Sequence, residues 1–142
     1  MTPEALAATH AAAFSGRDRA WSAAEFASLL GQPTTILTGD DDSFVLGRVV
    51  VDEAEVLTLA TRPDRRRRGL ARAALAAFES EAQRRGARMA YLEVAADNAS
   101  AMALYEAAGW HEFHRRAGYY ANPNGAHVDA LELRKRLETP DS

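Results

Sequence analysis

A run of arginines followed by a glycine carries the clearest chemical signal in this chain. Residues 65–72 read Arg-Arg-Arg-Arg-Gly-Leu-Ala-Arg and lie between an apolar stretch typical of a strand and an alanine-rich stretch typical of a helix. A glycine turn that opens a helix directs several backbone N–H groups at one point, where the helix dipole adds partial positive charge. This arrangement suits a phosphate, since a side chain at Gly69 would hold a pyrophosphate away from the backbone. The alternative is a solvated basic run before an ordinary surface helix, because short glycine motifs recur by chance.

The segments after this run predict the elements that would hold it. An amphipathic helix is expected over residues 69–85, with Gly86 placed to end it. Residues 89–95 are short and apolar, as in a buried strand, and a second capped helix is expected from 97 or 98 to 108, before Gly109. Strand–helix–strand order places the glycine turn at the carboxyl end of the first strand, where such sheets bind ligands.

The remaining segments complete an α+β domain. A helix capped by Thr2 is expected to run to about Phe14, a polar loop follows at 15–19, and a capping box at Ser22 opens a short helix to about Leu30. Strands are predicted at 34–38, 44–51, 56–61, 110–120 and 128–134. This order predicts a mixed, mainly antiparallel sheet flanked by helices, and residues 1–142 are expected to form one domain.

Composition excludes several functional classes. The chain has 142 residues, a net charge of −3 and no cysteine, which argues against a general nucleic-acid binder, disulfides and a cysteine nucleophile. The four histidines have no convincing ligand spacing, so no metal site is expected; they are His10, His111, His114 and His127. No segment is long and apolar enough to span a membrane, and the acidic start lacks the features of a signal peptide. We therefore expect a cytoplasmic protein with no membrane partner.

The motifs resemble those of a known enzyme superfamily. Arg66-x-x-Gly69-x-Ala71 fits the phosphate-binding pattern of the GNAT acetyl-CoA-dependent N-acetyltransferases. The segments Tyr91-Leu92-Glu93-Val94, Asn98-x-x-Ala101-x-x-Leu104-Tyr105-x-x-x-Gly109-Trp110 and Arg115-Arg116-Ala117-Gly118-Tyr119-Tyr120 resemble the bacterial ribosomal-protein-alanine N-acetyltransferase (RimI) family, as do Ala13-Phe14 and Trp21-Ser22-x-x-x-Phe26. The resemblance covers nearly the whole chain. It implies the GNAT fold, acetyl-CoA as co-substrate, no metal, and the N-terminal amine of a small-subunit ribosomal protein as acceptor.

Three features depart from the commonest pattern of that family. Ala71 replaces the second motif glycine, which slightly narrows the space beside the pyrophosphate. The chain begins almost at the first helix, so the usual first strand is expected to be missing or vestigial. The loop Gly16 to Arg19 and the pair Arg65-Arg66 at the mouth of the motif also differ. These departures bear on substrate preference more than on activity.

The resemblance assigns chemical roles to two residues. Glu93 would be the general base that removes a proton from the acceptor amine, either with a pKa raised by apolar neighbours on its face of the strand or through a water. Its alternative role is an ion pair with an arginine near the strand end. Tyr105 would be the general acid that protonates the departing CoA thiolate, and its alternative role is a core tyrosine whose hydroxyl bonds to the backbone.

The resemblance also implies how the two substrates bind. Backbone groups at the end of the third strand would meet the pantetheine arm as an added strand would, and these are Leu59, Ala60 and Thr61. The pyrophosphate would be held by the turn and the start of its helix, that is by Arg67, Arg68, Gly69, Leu70, Ala71 and Arg72. Asn98 would cap its helix, contact the CoA arm, or do both. Tyr119 and Tyr120 would line the acceptor entrance, or pack against their strand. The run Asp40 to Asp42 either forms a turn or attracts a basic acceptor by its negative charge.

Two classes of function remain at this point. The first is an N-acetyltransferase of a ribosomal protein N-terminus, with a small-molecule amine as the competing acceptor, because a fold does not fix the substrate. The second is a non-catalytic acyl-CoA-binding module, against which the presence of both Glu93 and Tyr105 argues.

Overall fold

A computed structural model describes residues 1–14 and 20–137, so the loop predicted at 15–19 lies outside the described residues. The helices of this part are α1 (Pro3–Ala13), α2 (Ala23–Leu30), α3 (Leu70–Arg84) and α4 (Ala99–Ala107), with a short 3-10 turn at Pro63–Arg65. The strands are β1 (Thr35–Gly39), β2 (Ser43–Val50), β3 (Glu53–Thr61), β4 (Met89–Ala95), β5 (His111–Ala121) and β6 (His127–Arg136). Within the described residues no strand precedes α1.

The strands form one mixed sheet in the order β1-β2-β3-β4-β6-β5. Only β3 and β4 run parallel among these pairs, and α3 connects them; all the other neighbours are antiparallel. The α+β class and the mainly antiparallel sheet predicted from the sequence are therefore confirmed.

Local signals in the sequence set most of the helix ends. The Thr2 hydroxyl accepts a hydrogen bond from the Ala5 N–H at 3.1 Å, and Ser22 and Glu25 form a reciprocal capping box at 3.2 and 3.1 Å. Gly86 has φ +98° just beyond α3, where a left-handed residue is needed to leave the helix. Gly109 has φ +92° after α4 for the same reason.

The hairpin between β2 and β3 corrects two predicted strand ends. The sequence predicts a strand that includes Val51 and a next strand that begins at Val56, but β2 ends at Val50 and β3 begins at Glu53. Val50 pairs with Glu53, so residues 51–52 form a two-residue turn in which Val51 has φ +59°. A β-branched residue rarely adopts this conformation, and nothing in its type signals the turn.

Two apolar clusters cover opposite faces of the sheet. α3 and α4 cover one face, where Phe78 lies close against Gly47 of β2; a Cβ there would come within 2.5 Å of the Phe78 ring. α1 and α2 cover the other face over β1–β3 through a second cluster, which contains Leu6, Phe26, Phe44, Leu46 and Ala60. The cover by α1 and α2 therefore does not extend over the same face of β4, β6 and β5.

None of the described helices is long and apolar enough to cross a membrane.

Candidate active site

The parallel strands β3 and β4 separate along their length. Their pairing covers Glu53 to Glu55 of β3 against Met89 to Tyr91 of β4 and then ends. Beyond that point β3 is paired only with β2, and β4 is paired only with β6. The sheet therefore opens between the carboxyl-terminal halves of its two central strands.

A β-bulge lies at the start of this opening. Leu46 of β2 faces Thr58 and the next residue, Gly47, faces Val56, so Leu57 is the extra residue on β3. A bulge bends its strand and leaves backbone groups outside the regular ladder. The segment Leu59 to Thr61, predicted as the pantetheine-binding edge, follows the bulge and has no strand partner on its β4 side among the described residues.

The predicted phosphate turn lies where β3 leads into α3. Gly69 has φ +75° and is the N-cap of α3, and no side chain caps this end of the helix. The first N–H groups of a helix have no partner within it, so those of Leu70 to Arg72 are available to an anion. A Cβ at Gly69 would meet no heavy atom within 4 Å, so the turn faces open space. This geometry fits a pyrophosphate.

The exposed arginines around this turn divide into those with a protein partner and those that form no ion pair among the described residues. The Nε atoms of Arg62 and Arg65 lie 3.9 and 3.4 Å from the carboxylate oxygens of Asp42. The Arg72 guanidinium donates a hydrogen bond to the Ala107 carbonyl at the end of α4, at 3.0 Å. Among the described residues, Arg66, Arg67 and Arg68 form no ion pair, and all three are exposed; they are the available cations.

Asp42 holds the start of the arginine run, a role that the sequence did not predict. The acidic run is a turn, as one reading of it predicted, in which the Asp40 carboxylate accepts hydrogen bonds from the N–H groups of Asp42 and Ser43 at 2.9 and 3.0 Å. Asp42 also accepts the Arg62 N–H through its carbonyl at 2.7 Å. The turn thus anchors the start of the arginine run. The one indication of this contact in the sequence is the opposite charge of the acidic run at 40–42 and the arginine run at 65–68.

Glu93 occupies a different environment from the one predicted. The strand pattern predicts a largely apolar, buried face for it, but Ala90, Leu92 and Val94 are the buried residues of β4 and Glu93 is exposed. The reason is that α3 and α4 cover the face of β4 that carries Ala90, Leu92 and Val94, whereas α1 and α2 do not extend over the face that carries Glu93. Among the described residues Glu93 forms no ion pair, so the alternative of an arginine partner is not found there.

Tyr105 is buried on the opposite face of β4 from Glu93. It belongs to the cluster beneath α3 and α4, where its ring lies 6.2 Å from that of Trp110. Its hydroxyl forms no hydrogen bond within residues 1–14 and 20–137. Every fully buried polar side-chain atom in those residues does have a partner, so the Tyr105 hydroxyl oxygen is not fully buried. The hydroxyl therefore reaches solvent. Burial raises the pKa of Tyr105 to about 12, so the phenol keeps its proton at neutral pH.

Asn98 begins the helix that carries Tyr105. Its side-chain oxygen accepts a hydrogen bond from the Ala101 N–H at 3.2 Å, as the cap prediction required. The oxygen is thereby committed to the helix, which leaves the amide N–H₂ as the group able to contact a ligand.

Tyr119 and Tyr120 lie on the outer strand β5. Their rings meet edge to face at 5.2 Å, the Arg116 guanidinium lies 5.1 Å from the Tyr119 ring, and Tyr119 is half exposed. The strand turns at Gly118, whose N–H donates to Asp129 at 2.9 Å; that hydrogen bond, followed by one from Arg115, lowers the pKa of Asp129. The tyrosine pair is therefore held on an open surface and is not part of the core.

Comparison with known proteins agrees with this geometry. Residues 13–110 match the model of the acetyltransferase (GNAT) family. The chain is 43% identical over 97 residues to the ribosomal protein bS18-alanine N-acetyltransferase of Salmonella typhimurium, covering 67% of this chain and 65% of that protein. The enzyme of the same name from Escherichia coli is 38% identical over 109 residues, 74% of each chain. The crystal structure of the Escherichia coli enzyme superposes with a TM-score of 0.84 and 32% identity, over 96% of this chain and 88% of that one. The resemblance inferred from the motifs is confirmed, and the chain belongs to the GNAT family of acetyltransferases.

Proposed function

We propose that this protein moves the acetyl group of acetyl-CoA to the N-terminal α-amine of a ribosomal protein, with alanine as the accepting residue. One observation carries the proposal: just beyond the end of the β3–β4 pairing, β4 has an exposed carboxylate, Glu93, on one face, while its other face packs into the cluster that holds the protonated phenol of Tyr105. A site with this arrangement can receive the two substrates from opposite faces of the sheet. The names of the relatives supply the acceptor, bS18.

The cofactor would be held mainly by backbone. Leu59 to Thr61 offer the unpaired edge of β3 to the amide groups of pantetheine, and the N–H groups from Gly69 to Arg72 meet the pyrophosphate. The exposed guanidinium groups of Arg67 and Arg68 add charge-assisted hydrogen bonds. Asn98 caps the start of α4 with its side-chain oxygen, and its amide N–H₂ would contact the arm.

Glu93 would prepare the acceptor. An N-terminal amine with a pKa of about 8 is mostly protonated at neutral pH and has no lone pair to attack a thioester. Because Glu93 is exposed, we propose that it takes the proton through a water, the second of the two routes considered for it. The neutral nitrogen then forms its bond to the acetyl carbon. As the tetrahedral intermediate collapses, the C–S bond breaks and the nitrogen loses its second proton, which passes to the departing thiolate.

Tyr105 would receive the leaving sulfur. Its pKa of about 12 keeps the hydroxyl protonated and able to donate to the departing thiolate. An ordinary thiol has a pKa of about 8.5, so complete proton transfer from Tyr105 to the thiolate is uphill. Hydrogen-bond donation to the developing thiolate is therefore the contribution of Tyr105, and the proton that completes CoA is the second one, which the attacking nitrogen loses.

The acceptor would approach the face that carries Glu93, past the hairpin of β5 and β6. Tyr119 and Tyr120 would line its path, and no nucleic acid is needed for recognition, since the reacting group is a protein amine. We further propose that residues 1–142 are one acetyltransferase domain and that it acts in the cytoplasm, where ribosomal proteins are made.

A panel of acceptors tests the proposal. Acetyl-CoA would be supplied with an alanine-starting bS18 peptide, the same peptide with its α-amine blocked, a lysine peptide and several small amines, and the products read by mass. We expect acetylation of the free alanine peptide alone. Transfer only to a small amine would reject the ribosomal acceptor and keep the chemistry, whereas binding of acetyl-CoA without any transfer would support the non-catalytic module.

A further inference from the structure

The buried polar residues of the described chain all lie near one part of the molecule. Four polar side chains are buried there, and they are Thr9, His10, Ser43 and Thr58. Thr9 donates to the Asp41 carbonyl, His10 contacts the Thr58 hydroxyl, and the Ser43 and Thr61 hydroxyls lie 2.8 Å apart. Together they connect α1 and the acidic turn to the second half of β3. We call these four residues the polar seam.

His10 joins three elements in this seam. The Trp21 N–H, just before α2, donates to His10 Nδ1 at 3.0 Å, and His10 Nε2 lies 3.0 Å from the Thr58 hydroxyl oxygen. Because Nδ1 accepts a hydrogen bond, the neutral ring carries its proton on Nε2 and donates it to Thr58. The ring is also packed 4.3 Å from Phe14 and edge-on to Phe26. These hydrogen bonds and ring contacts together fix the orientation of the His10 ring.

The second half of β3 has fewer backbone contacts than the interior of a sheet usually provides. A central strand is normally held by two neighbours, but β3 has lost β4 beyond Glu55. The bulge at Leu57 further interrupts its pairing with β2. Thr58 is the residue immediately after the bulge, and the cofactor-facing segment begins at the next residue. A polar contact at Thr58 therefore fixes the point from which that segment starts.

Buried polar groups cost free energy unless they are paired, and an apolar residue at position 10 would fill the same space without that cost. We infer that His10 is a positioning residue for acetyl transfer: its Nε2–H···Thr58 hydrogen bond sets the geometry of the bulge and thereby of the β3 edge that meets acetyl-CoA. This inference rests on the proposed function, since it assigns that edge to the cofactor.

Separate variants distinguish the hydrogen bond of the ring with Trp21 from its hydrogen bond with Thr58. In His10→Asn the side-chain oxygen replaces Nδ1 and keeps the Trp21 contact, while Thr58 loses its donor. In His10→Gln the longer amide replaces Nε2 and keeps the Thr58 contact. Thr58→Val removes the acceptor with little change in shape. We expect His10→Asn and Thr58→Val to lower kcat/KM for acetyl-CoA by about 10- to 100-fold, because displacements of about 1 Å have effects of that size. His10→Gln should recover most of the loss.

Leu6→Val is the matched control. Leu6 is fully buried one turn before His10 on α1 and belongs to the apolar cluster under α1 and α2, so its side chain has no polar atom that could join the seam. All variants would be compared at a temperature at which circular dichroism shows each to be folded, and acetyl-CoA affinity would also be measured by calorimetry without acceptor. Leu6→Val should lower the melting temperature and leave kcat/KM unchanged.

The outcomes separate this inference from the proposed function. Wild-type protein that neither binds acetyl-CoA nor transfers acetyl would reject the proposed function. Active wild-type protein with folded His10→Asn and Thr58→Val variants within twofold of it would reject the positioning role alone. Equal losses in His10→Asn and His10→Gln would also reject it, because the Thr58 contact would then have no separate effect.

Discussion

Glu93 and Tyr105 differ in burial in the way that their proposed roles require. The base has to exchange protons with solvent and meet an acceptor that arrives from outside, and it is exposed on β4. The acid has to stay protonated until a thiolate forms, and it is buried, with a pKa raised to about 12. Glu93 lies on β4 and Tyr105 on α4. Their environments differ because the two side chains lie on opposite faces of β4.

Removing the carboxylate of Glu93 should affect catalysis and little else. For Glu93→Gln we expect kcat to fall by about 10²- to 10⁴-fold, the range typical of a lost general base, while acetyl-CoA affinity and melting temperature stay near wild type. Steady-state kinetics and calorimetry measure these quantities. Glu53→Gln, at the far end of β3, is the control and should retain activity. Unchanged turnover in Glu93→Gln would remove Glu93 from the mechanism.

Tyr105→Phe should separate the hydroxyl from the packing of the ring. No partner for that hydroxyl exists among the described residues, so its loss costs no hydrogen bond in the folded state. We expect the melting temperature to be maintained and kcat to fall, with acetyl-CoA affinity retained. A variant with full turnover would show that the leaving thiolate needs no donor from Tyr105.

Tyr105 also predicts the behaviour of the fold in alkali. Its folded-state pKa, about 12, lies above the value of about 10 expected in the unfolded chain, so folding favours the protonated phenol. The resulting contribution to stability is complete below about pH 10 and is lost as the pH rises towards about 12. Denaturant unfolding of wild type between these values should therefore lose up to about 3 kcal/mol more than Tyr105→Phe. Parallel curves for the two proteins would contradict the burial of the phenol.

At the scale of elements, α3 offers two glycines that isolate the role of the phosphate turn. Gly69 and Gly86 flank the helix with φ of +75° and +98°, and a Cβ at either would meet no atom within 4 Å. Replacement of either by alanine should therefore cost a similar backbone strain, about 1 kcal/mol. Only Gly69 adjoins the proposed pyrophosphate site, so Gly69→Ala should weaken acetyl-CoA binding and Gly69→Glu should abolish it. Calorimetry showing normal affinity in Gly69→Glu would reject the pyrophosphate assignment.

A second element-scale prediction concerns how α4 is held. Glu79 of α3 accepts from Trp110 Nε1 at 3.1 Å and pairs with Lys135 of β6, whose ammonium also donates to the Ala108 carbonyl at 2.7 Å. Glu79→Gln leaves a half-buried ammonium without its charge partner and should cost about 1–3 kcal/mol in the free energy of unfolding. Glu81→Gln removes the ion pairs of Glu81 with Arg84 and Arg85 at the helix surface, where screening by solvent is stronger, and should cost less. Equal losses from the two would show that the Glu79 network does not stabilise α4.

The elements that the sequence predicted well are those whose ends depend on local chemistry. The capping box at Ser22, the cap at Asn98 and the glycine at position 86 each act within a few residues, and the strand Met89–Ala95 was predicted with its observed bounds. The turn at Val51 was not predictable, because a valine there contradicts the local preference and only the pairing of β2 with β3 enforces it.

At the scale of the whole molecule, the site depends on the unequal cover of the sheet. Helices α3 and α4 cover one face of β4, but α1 and α2 stop short of it on the other, and so Glu93 is exposed. The strand pattern alone could not decide which face of β4 is buried, since both alternate sets of residues include apolar side chains. The motifs predict Glu93 as the candidate base, and that role stays a prediction, whereas its environment could be described only from the arrangement of all four helices. The contact of Asp42 with the arginine run likewise depends on two loops distant in sequence.

The most direct test of the account is the position of the acetyl group on an alanine-starting bS18 peptide after incubation with acetyl-CoA and the wild-type protein. Tandem mass spectrometry locates it. We predict one acetyl group on the α-amine, none on lysine side chains, and loss of the product in Glu93→Gln. Acetylation of lysine instead, or an α-acetylated product formed at the same rate by Glu93→Gln, would contradict the account.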